Sequence, residues 1–267
     1  MTTLAQIIAV IETLAPPALA AEWDNSGLQV GDPSAEVDRV MVALDPLPEI
    51  VSGAAGLGAG LLVSHHPLFF RPLRGLDLDK GVGATVGAAV KSGVAVYSAH
   101  TSLDRIPEGV SYALAKPLGL RKAGPLDQAA GWPAGYGYGR IGDLPGRLSV
   151  AGVAAKLKAA FGLKGVRLIG DPGVMADRVA VCGGSGADFI GEAASAGADI
   201  YITGDVKYHD ALKALELGIA VLDIGHFGSE MPVVPHLAGM LKKAFGKKGW
   251  DVEILVSKGQ AEPWSQL

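Results

Sequence analysis

The chain of 267 residues is 49% hydrophobic and carries 23 basic against 27 acidic residues, for a net charge of −4. That composition supplies a sizeable core and excludes general disorder, and the absence of any lysine or arginine run longer than two residues argues against a nucleic-acid surface. Cys182 is the single cysteine, so an intrachain disulfide is excluded, the expected compartment is the reducing cytoplasm, and a metal site would be built from nitrogen and oxygen ligands.

Ile7, Ile8, Ile11 and Leu14 mark one face of a helix that begins near Thr2 or Thr3 and stops at Pro16-Pro17. Glu12 and the lack of a positive leader region argue against reading this stretch as a signal peptide, and no apolar run reaches the ~18 residues of a membrane span. Glu22 to Pro33 is dense in polar side chains and turn formers and reads as a loop in which Asp24 and Asn25 satisfy backbone groups or hold a ligand.

A strand from Val37 to Leu44 ends at Asp45-Pro46, so an acidic residue sits at its carboxyl end. A helix from Pro48 to Leu57 leads to the buried strand Gly60 to Val63, which ends in Ser64-His65-His66-Pro67. Neighbouring strand side chains point to opposite faces, so these two histidines serve one ion only if the chain turns there, as Pro67 favours, and otherwise two ions; the alternative is a strand end finished by hydrogen bonds. A helix from Lys80 to Lys91 returns to a strand at Val94 to Ser98, followed by His100-Thr101-Ser102-Leu103-Asp104. Ligands placed after strand ends are where α/β sheets bind.

Residues 118–148 change character, with Trp132, Tyr136, Tyr138 and the alternating Gly135-Tyr136-Gly137-Tyr138-Gly139-Arg140, read as an exposed edge strand or subunit contact. This divides the chain into a first lobe over residues 1–125 and a second over 126–267. The second restarts with a helix from Val150 to Phe161 and strands at Val166 to Ile169 and Arg178 to Cys182. Cys182-Gly183-Gly184-Ser185-Gly186-Ala187 is a tight strand-to-helix turn or an anion cradle; Ala187 leaves a serine-hydrolase elbow at Ser185 incomplete. Asp199 to Thr203 and Ile219 to Ile224 are further strands, the first followed by Gly204-Asp205 and His209, the second by Gly225-His226-Phe227-Gly228-Ser229-Glu230-Met231-Pro232. Pro232 and the capping preference of Ser229 predict a helix starting near Ser229, with Glu230 in its first turn, and Asp251 to Val256 is expected to close the second lobe. The predicted fold class is therefore α/β: two α/β lobes with mixed sheets flanked by helices.

His65, His66, His100, His209 and His226 all follow strand ends or lie in strand-to-helix connections, accompanied by Asp104 and Glu230, while His236 falls inside a helix and reads as structural. Such donors suit Zn, Fe, Mn, Co or Ni. Together with Glu22 to Gly31, the segments around His65-His66, His100 to Asp104, Thr203-Gly204-Asp205 with His209, and Gly225 to Glu230 resemble the Nif-three-like dinuclear metal-centre family, many of whose members are labelled GTP cyclohydrolase I type 2 homologues. The resemblance spans nearly the whole chain in order, at the length of the short form without an additional middle domain. It implies a metal site between the lobes that holds two divalent metal ions per chain, with His65, His66, Asp104, His226 and Glu230 as ligands, and a toroidal homohexamer. It also implies a hydrolase using metal-activated water on a small-molecule substrate such as a nucleotide or phosphoester, with Asp24, His100 and His209 available to carry protons. The alternative is a non-catalytic metal-handling or regulatory ring that binds other proteins. Ser102, Asp205 and Tyr208 depart from the Asn, Glu and His that the family often shows there.

Overall fold

A computed structural model describes residues 2–265. Residues up to Leu103, together with those from Val234 onward, form one compact unit, and Asp104–Val233 form the other. The boundary lies upstream of the compositional change at 118–148, and the final helix and strand group with the first unit.

Helix α1 (Leu4–Leu14) starts at Thr3, whose side chain accepts from the Gln6 backbone while Gln6 reaches back to Thr3, and it buries Leu4, Ile7, Val10 and Ile11. The polar stretch after it contains an edge strand that the sequence reading takes for loop, β1 (Gly27–Val30). There follow β2 (Arg39–Ala43), α2 (Pro48–Gly56), β3 (Leu61–Ser64), α3 (Gly81–Ser92), β4 (Ala95–Ser98) and the short helix α4 (Thr101–Asp104).

In the second unit come α5 (Val110–Ala115), β5 (Arg121–Gly124) and a small hairpin of β6 (Asp127–Gln128) with β7 (Gly137–Tyr138). The hairpin takes up the Gly/Tyr alternation, and it is followed by β8 (Arg140–Ser149). Pro145 and Gly146 hide β8 from a sequence reading, yet it pairs antiparallel with both β5 and β10. The unit continues through α6 (Val150–Phe161), β9 (Arg167–Ile169), β10 (Met175–Val181), α7 (Ile190–Ser195), β11 (Ile200–Thr203), α8 (Tyr208–Leu217), β12 (Ala220–Asp223) and α9 (His226–Glu230). Its mixed six-stranded sheet has the order β5-β8-β10-β11-β12-β9. Residues alternating along the strands fill two cores: Val179, Val181, Ile200, Ile202 and Leu222 pack with Val153 and Leu157 of α6, while Ala180, Tyr201 and Val221 pack with Ile190 and Ala214.

Helix α10 (Val233–Lys247) and β13 (Glu253–Val256) then complete the first unit. The expectation that this last strand closes the second lobe is corrected: β13 runs parallel to β2, and the first sheet has the order β1-β4-β3-β2-β13. Within it Ala43, Ser64 and Ser98 are register partners across β2, β3 and β4, so three adjacent parallel strands end level with one another. Both faces of β2, β3 and β4 are buried, which explains their continuous apolar runs. No described helix is long and apolar enough to cross a membrane.

Candidate functional site

The level strand ends of the first unit place their successor residues side by side. His65 and His66 continue the ladder, donating their backbone N–H groups to Ala43 O and Leu44 O, and the chain then bends before Pro67. The bend removes the alternation of a regular strand, so the two rings lie 5.1 Å apart. His100, two residues past β4, is 5.1 Å from His65 and 5.7 Å from His66 between ring centroids. One ligand atom from each of His65, His66 and His100 lies within 4.8 Å of the other two.

Each of these rings is held through Nδ1. His65 Nδ1 donates to Ala99 O at 2.9 Å, His66 Nδ1 to Asp45 Oδ1 at 2.6 Å, and His100 Nδ1 to Asp24 Oδ1 at 2.8 Å. An acceptor-only partner fixes the proton on Nδ1, so in the neutral ring Nε2 carries the lone pair. This is how metal-binding histidines are usually oriented. Asp45 is itself contacted by the Gln260 side chain, a residue with no distinguishing sequence signal.

Asp24 is the most embedded carboxylate of this group. Its side chain is fully buried and accepts from Thr101 Oγ1 at 2.5 Å, Thr101 N at 3.0 Å and Ser26 Oγ at 2.7 Å besides His100. Burial alone raises its pKa, but the hydrogen bonds from His100, Thr101 and Ser26 outweigh it and hold the carboxyl well below the ordinary carboxylate range. The polar loop thus holds a histidine in place.

In the second unit, His226 and Glu230 stand one helical turn apart on α9, with His226 Nε2 3.0 Å from Glu230 Oε2. His226 Nδ1 donates to Asp205 Oδ2 at 2.7 Å, repeating the arrangement of the other unit. With Nδ1 protonated, the neutral ring would bring two acceptors together at Glu230, and a proton or a cation must lie between them. Glu230 is only 4% exposed and so shielded from bulk water, while the His226 side chain is 37% exposed.

The packing behind this pair depends on glycines. A Cβ at Gly184 would stand 2.1 Å from Glu230 Oε1, and one at Gly204 would meet Gly225 C and His226 N at 2.7 Å. Gly184 N donates to Ser229 Oγ at 2.9 Å, and Gly204 N to Gly184 O at 2.9 Å. The Cys182–Ala187 segment is therefore a close-packed turn that makes room for Glu230. Asp205 adopts φ 56°, a left-handed conformation that its short polar side chain tolerates, and from there its carboxylate meets His226.

One local expectation is corrected. The long helix starts at Val233, and α9 already begins at His226 with Gly225 as its N-cap. Ser229 does not cap a helix: its Oγ accepts from Gly184 N and donates to His226 O. Glu230 closes α9, so its placement comes from the glycine turn rather than a helix dipole.

Among the remaining candidates, Asp104 is half-buried at the end of α4. Burial first, and then the charges of Asp104 and Glu230, push the Cys182 thiol up to about 12, which keeps it neutral. His209 is exposed in the first turn of α8, edge-on to Tyr208 at 5.3 Å, and the described residues give it no hydrogen bond. His236 is half-buried within α10.

Mixed α/β units whose strand ends carry oriented histidines, beside a shielded glutamate, define a class of protein with donor sets able to hold a metal ion. The chain belongs to the Duf34/NIF3 (NGG1p interacting factor 3) family, whose model matches residues 2–263. It is 35% identical over 266 residues to a Clostridium perfringens protein named GTP cyclohydrolase 1 type 2 homolog, covering 98% of each chain. A Streptomyces coelicolor protein of the same name is 36% identical over 269 residues, covering 99% of this chain and 94% of that one. A solved Bacillus cereus protein, described as related to NIF3, superposes with a TM-score of 0.93 at 26% identity, covering 100% and 99% of the two chains.

Proposed function

We propose that the protein is a metal-dependent hydrolase acting on a nucleotide or another small phosphoester. The observation that carries this reading is that four histidines, His65, His66, His100 and His226, are each held through Nδ1 by a carbonyl or carboxylate oxygen, which puts the lone pair of the neutral ring on Nε2, the form that ligates a metal. That donor chemistry fits divalent metal ions, and the ligand set proposed for a pair of them is His65, His66, Asp104, His226 and Glu230. Bound there, two divalent cations would supply a nucleophile from water at neutral pH and stabilise negative charge on the attacked group.

The chain's own residues have distinct tasks. Asp45, Ala99 O and Asp205 hold the imidazole rings in one tautomer, and Glu230 supplies a shielded negative charge. In this proposal His100, hydrogen-bonded to the ionised Asp24, would take or return a proton, with His209 as the outer member of the proton-handling group. The name of the curated relatives supports a nucleotide substrate. A homohexameric ring remains part of the proposal through the family resemblance.

A second reading, a metal-holding protein that works through protein contacts, draws support from α8, where Tyr208, Leu212 and Leu215 are exposed at helical spacing. Elemental analysis of the protein purified without added metal tests the first reading. About two ions per chain in the wild type, and clear loss in Glu230→Gln, are expected. Absence of metal even after reconstitution, or equal content in the variant, would remove the proposed centre. Metal without turnover on nucleotides and phosphoesters would favour the second reading.

A further inference from the structure

The first unit contains a cleft of about 450 Å³ lined by Trp23, Asn25, Phe69, Phe70, Arg71 and neighbouring residues. Its size falls in the range of small-molecule sites, about 300–1,000 Å³. Trp23 is 63% exposed and Phe70 57% exposed, although each ring carries a large apolar surface that burial would stabilise. Their centroids are 5.9 Å apart, and those of Trp23 and Phe70 lie 5.9 and 6.1 Å from the His100 ring. The cleft therefore borders the histidine cluster directly.

This exposure is built. Asn25 Nδ2 donates to Phe69 O at 2.8 Å, and Gln29 Oε1 accepts from Phe69 N at 3.3 Å and from Asn25 Nδ2 at 3.2 Å. These bonds tie the segment after His66-Pro67 to the polar loop and hold Phe70 next to Trp23. Arg71 follows on the cleft lining; it is exposed and makes no ion pair or hydrogen bond among the described residues. An aromatic wall offers stacking to a flat ring, and a guanidinium offers paired donors to a phosphate or carboxylate.

We infer that this cleft binds a planar heteroaromatic ring bearing an anionic group, stacking the ring on Trp23 and Phe70 and directing the anion to Arg71. The inference rests on the hydrolase reading for its purpose, because it names the class of substrate presented beside His100. It does not require that reading for binding itself.

Calorimetric titration of the full-length protein with adenosine and guanosine 5′-monophosphate, the matching nucleosides and ribose 5-phosphate tests it, with metal content measured on the same samples. The mononucleotides are expected to bind at least tenfold more tightly than ribose 5-phosphate, a contrast set by base stacking on aromatic side chains. Trp23→Ala should weaken them by about 5- to 150-fold while leaving ribose 5-phosphate unchanged, and Trp23→Phe should restore most of the loss. Arg71→Ala should bring each mononucleotide to the affinity of its nucleoside. Equal binding of mononucleotide and ribose 5-phosphate would overturn the inference, as would a Trp23→Ala variant that folds, keeps its metal and binds like the wild type. Stacking that persists in protein shown to hold no metal even after reconstitution would leave the cleft standing and sink the hydrolase reading; metal without stacking would do the reverse.

Discussion

Replacing Gly184 with alanine separates two consequences that usually arrive together. Gly184 has φ +69°, where a side chain costs roughly 1–2 kcal/mol. Gly218, the C-cap of α8, has the same φ of +69° but nothing within 4 Å of an added Cβ, so Gly218→Ala incurs the backbone cost alone. At Gly184 the new Cβ would also stand 2.1 Å from Glu230 Oε1, and to reach even 3.0 Å the carboxylate must retreat by 0.9 Å. That atom ends a flexible side chain, so the retreat costs little stability, but it changes the 3.0 Å approach of Glu230 to His226. Both variants should lose about 2–8 °C in Tm, taking 2–4 °C per kcal/mol for a chain of this size. Only Gly184→Ala should lose metal affinity, by about 10- to 100-fold as for other displaced groups around a metal. Differential scanning fluorimetry and metal titration of the two variants read these effects. A Gly184→Ala variant with wild-type metal affinity, or a Gly218→Ala variant that loses as much, would refute the reasoning.

Asp205→Asn should reduce metal affinity by about 10- to 100-fold through the loosened His226 ring, with little change in Tm, as measured by competition with a chelating dye. His236→Ala should leave metal content unchanged in elemental analysis, because that residue lies within α10 and outside the proposed ligand set. Asp24 is held below its ordinary pKa in the folded protein, so its contribution to stability is fully present above the unfolded value of about 3.9 and is lost as pH falls toward the folded one. Urea unfolding should therefore find the wild type more stable than Asp24→Asn above about pH 5, with the margin shrinking below about pH 4.

Much of the α/β alternation could be read because buried parallel strands write themselves as apolar runs, and each run here ends in a polar group. Val40 to Ala43, Leu61 to Ser64 and Ala95 to Ser98 are of this kind, and the histidines after them mark where ligands converge. Pairing partners were harder to read. Nothing local in Glu253 to Val256 says that it joins β2 rather than the nearer strands of the second unit, because parallel pairing leaves no turn signature. Strand β8 was hidden by its own Pro145 and Gly146. The acceptors that orient the rings were only half visible: Asp45 is 21 residues from His66, and Asp24 is 76 from His100. Only folding reveals which carboxylate meets which ring. Ser229 had the right residue type for a cap but the wrong neighbours, since Gly184 N claims its hydroxyl.

The first unit is written in two instalments, with 104–233 inserted between them. Domains fold largely as units during synthesis, N-terminal segments first. Residues 104–233 emerge as one uninterrupted stretch and can pack while the first sheet still waits for β13, whose Glu253 meets Arg39 across 214 residues. Gln260, which touches Asp45 behind His66, is translated later still. The histidine cluster thus acquires this supporting contact only after residues 104–233 have been made, so a ribosome-bound fragment stopping before β13 carries the donors His65, His66 and His100 without the strand and glutamine that brace them.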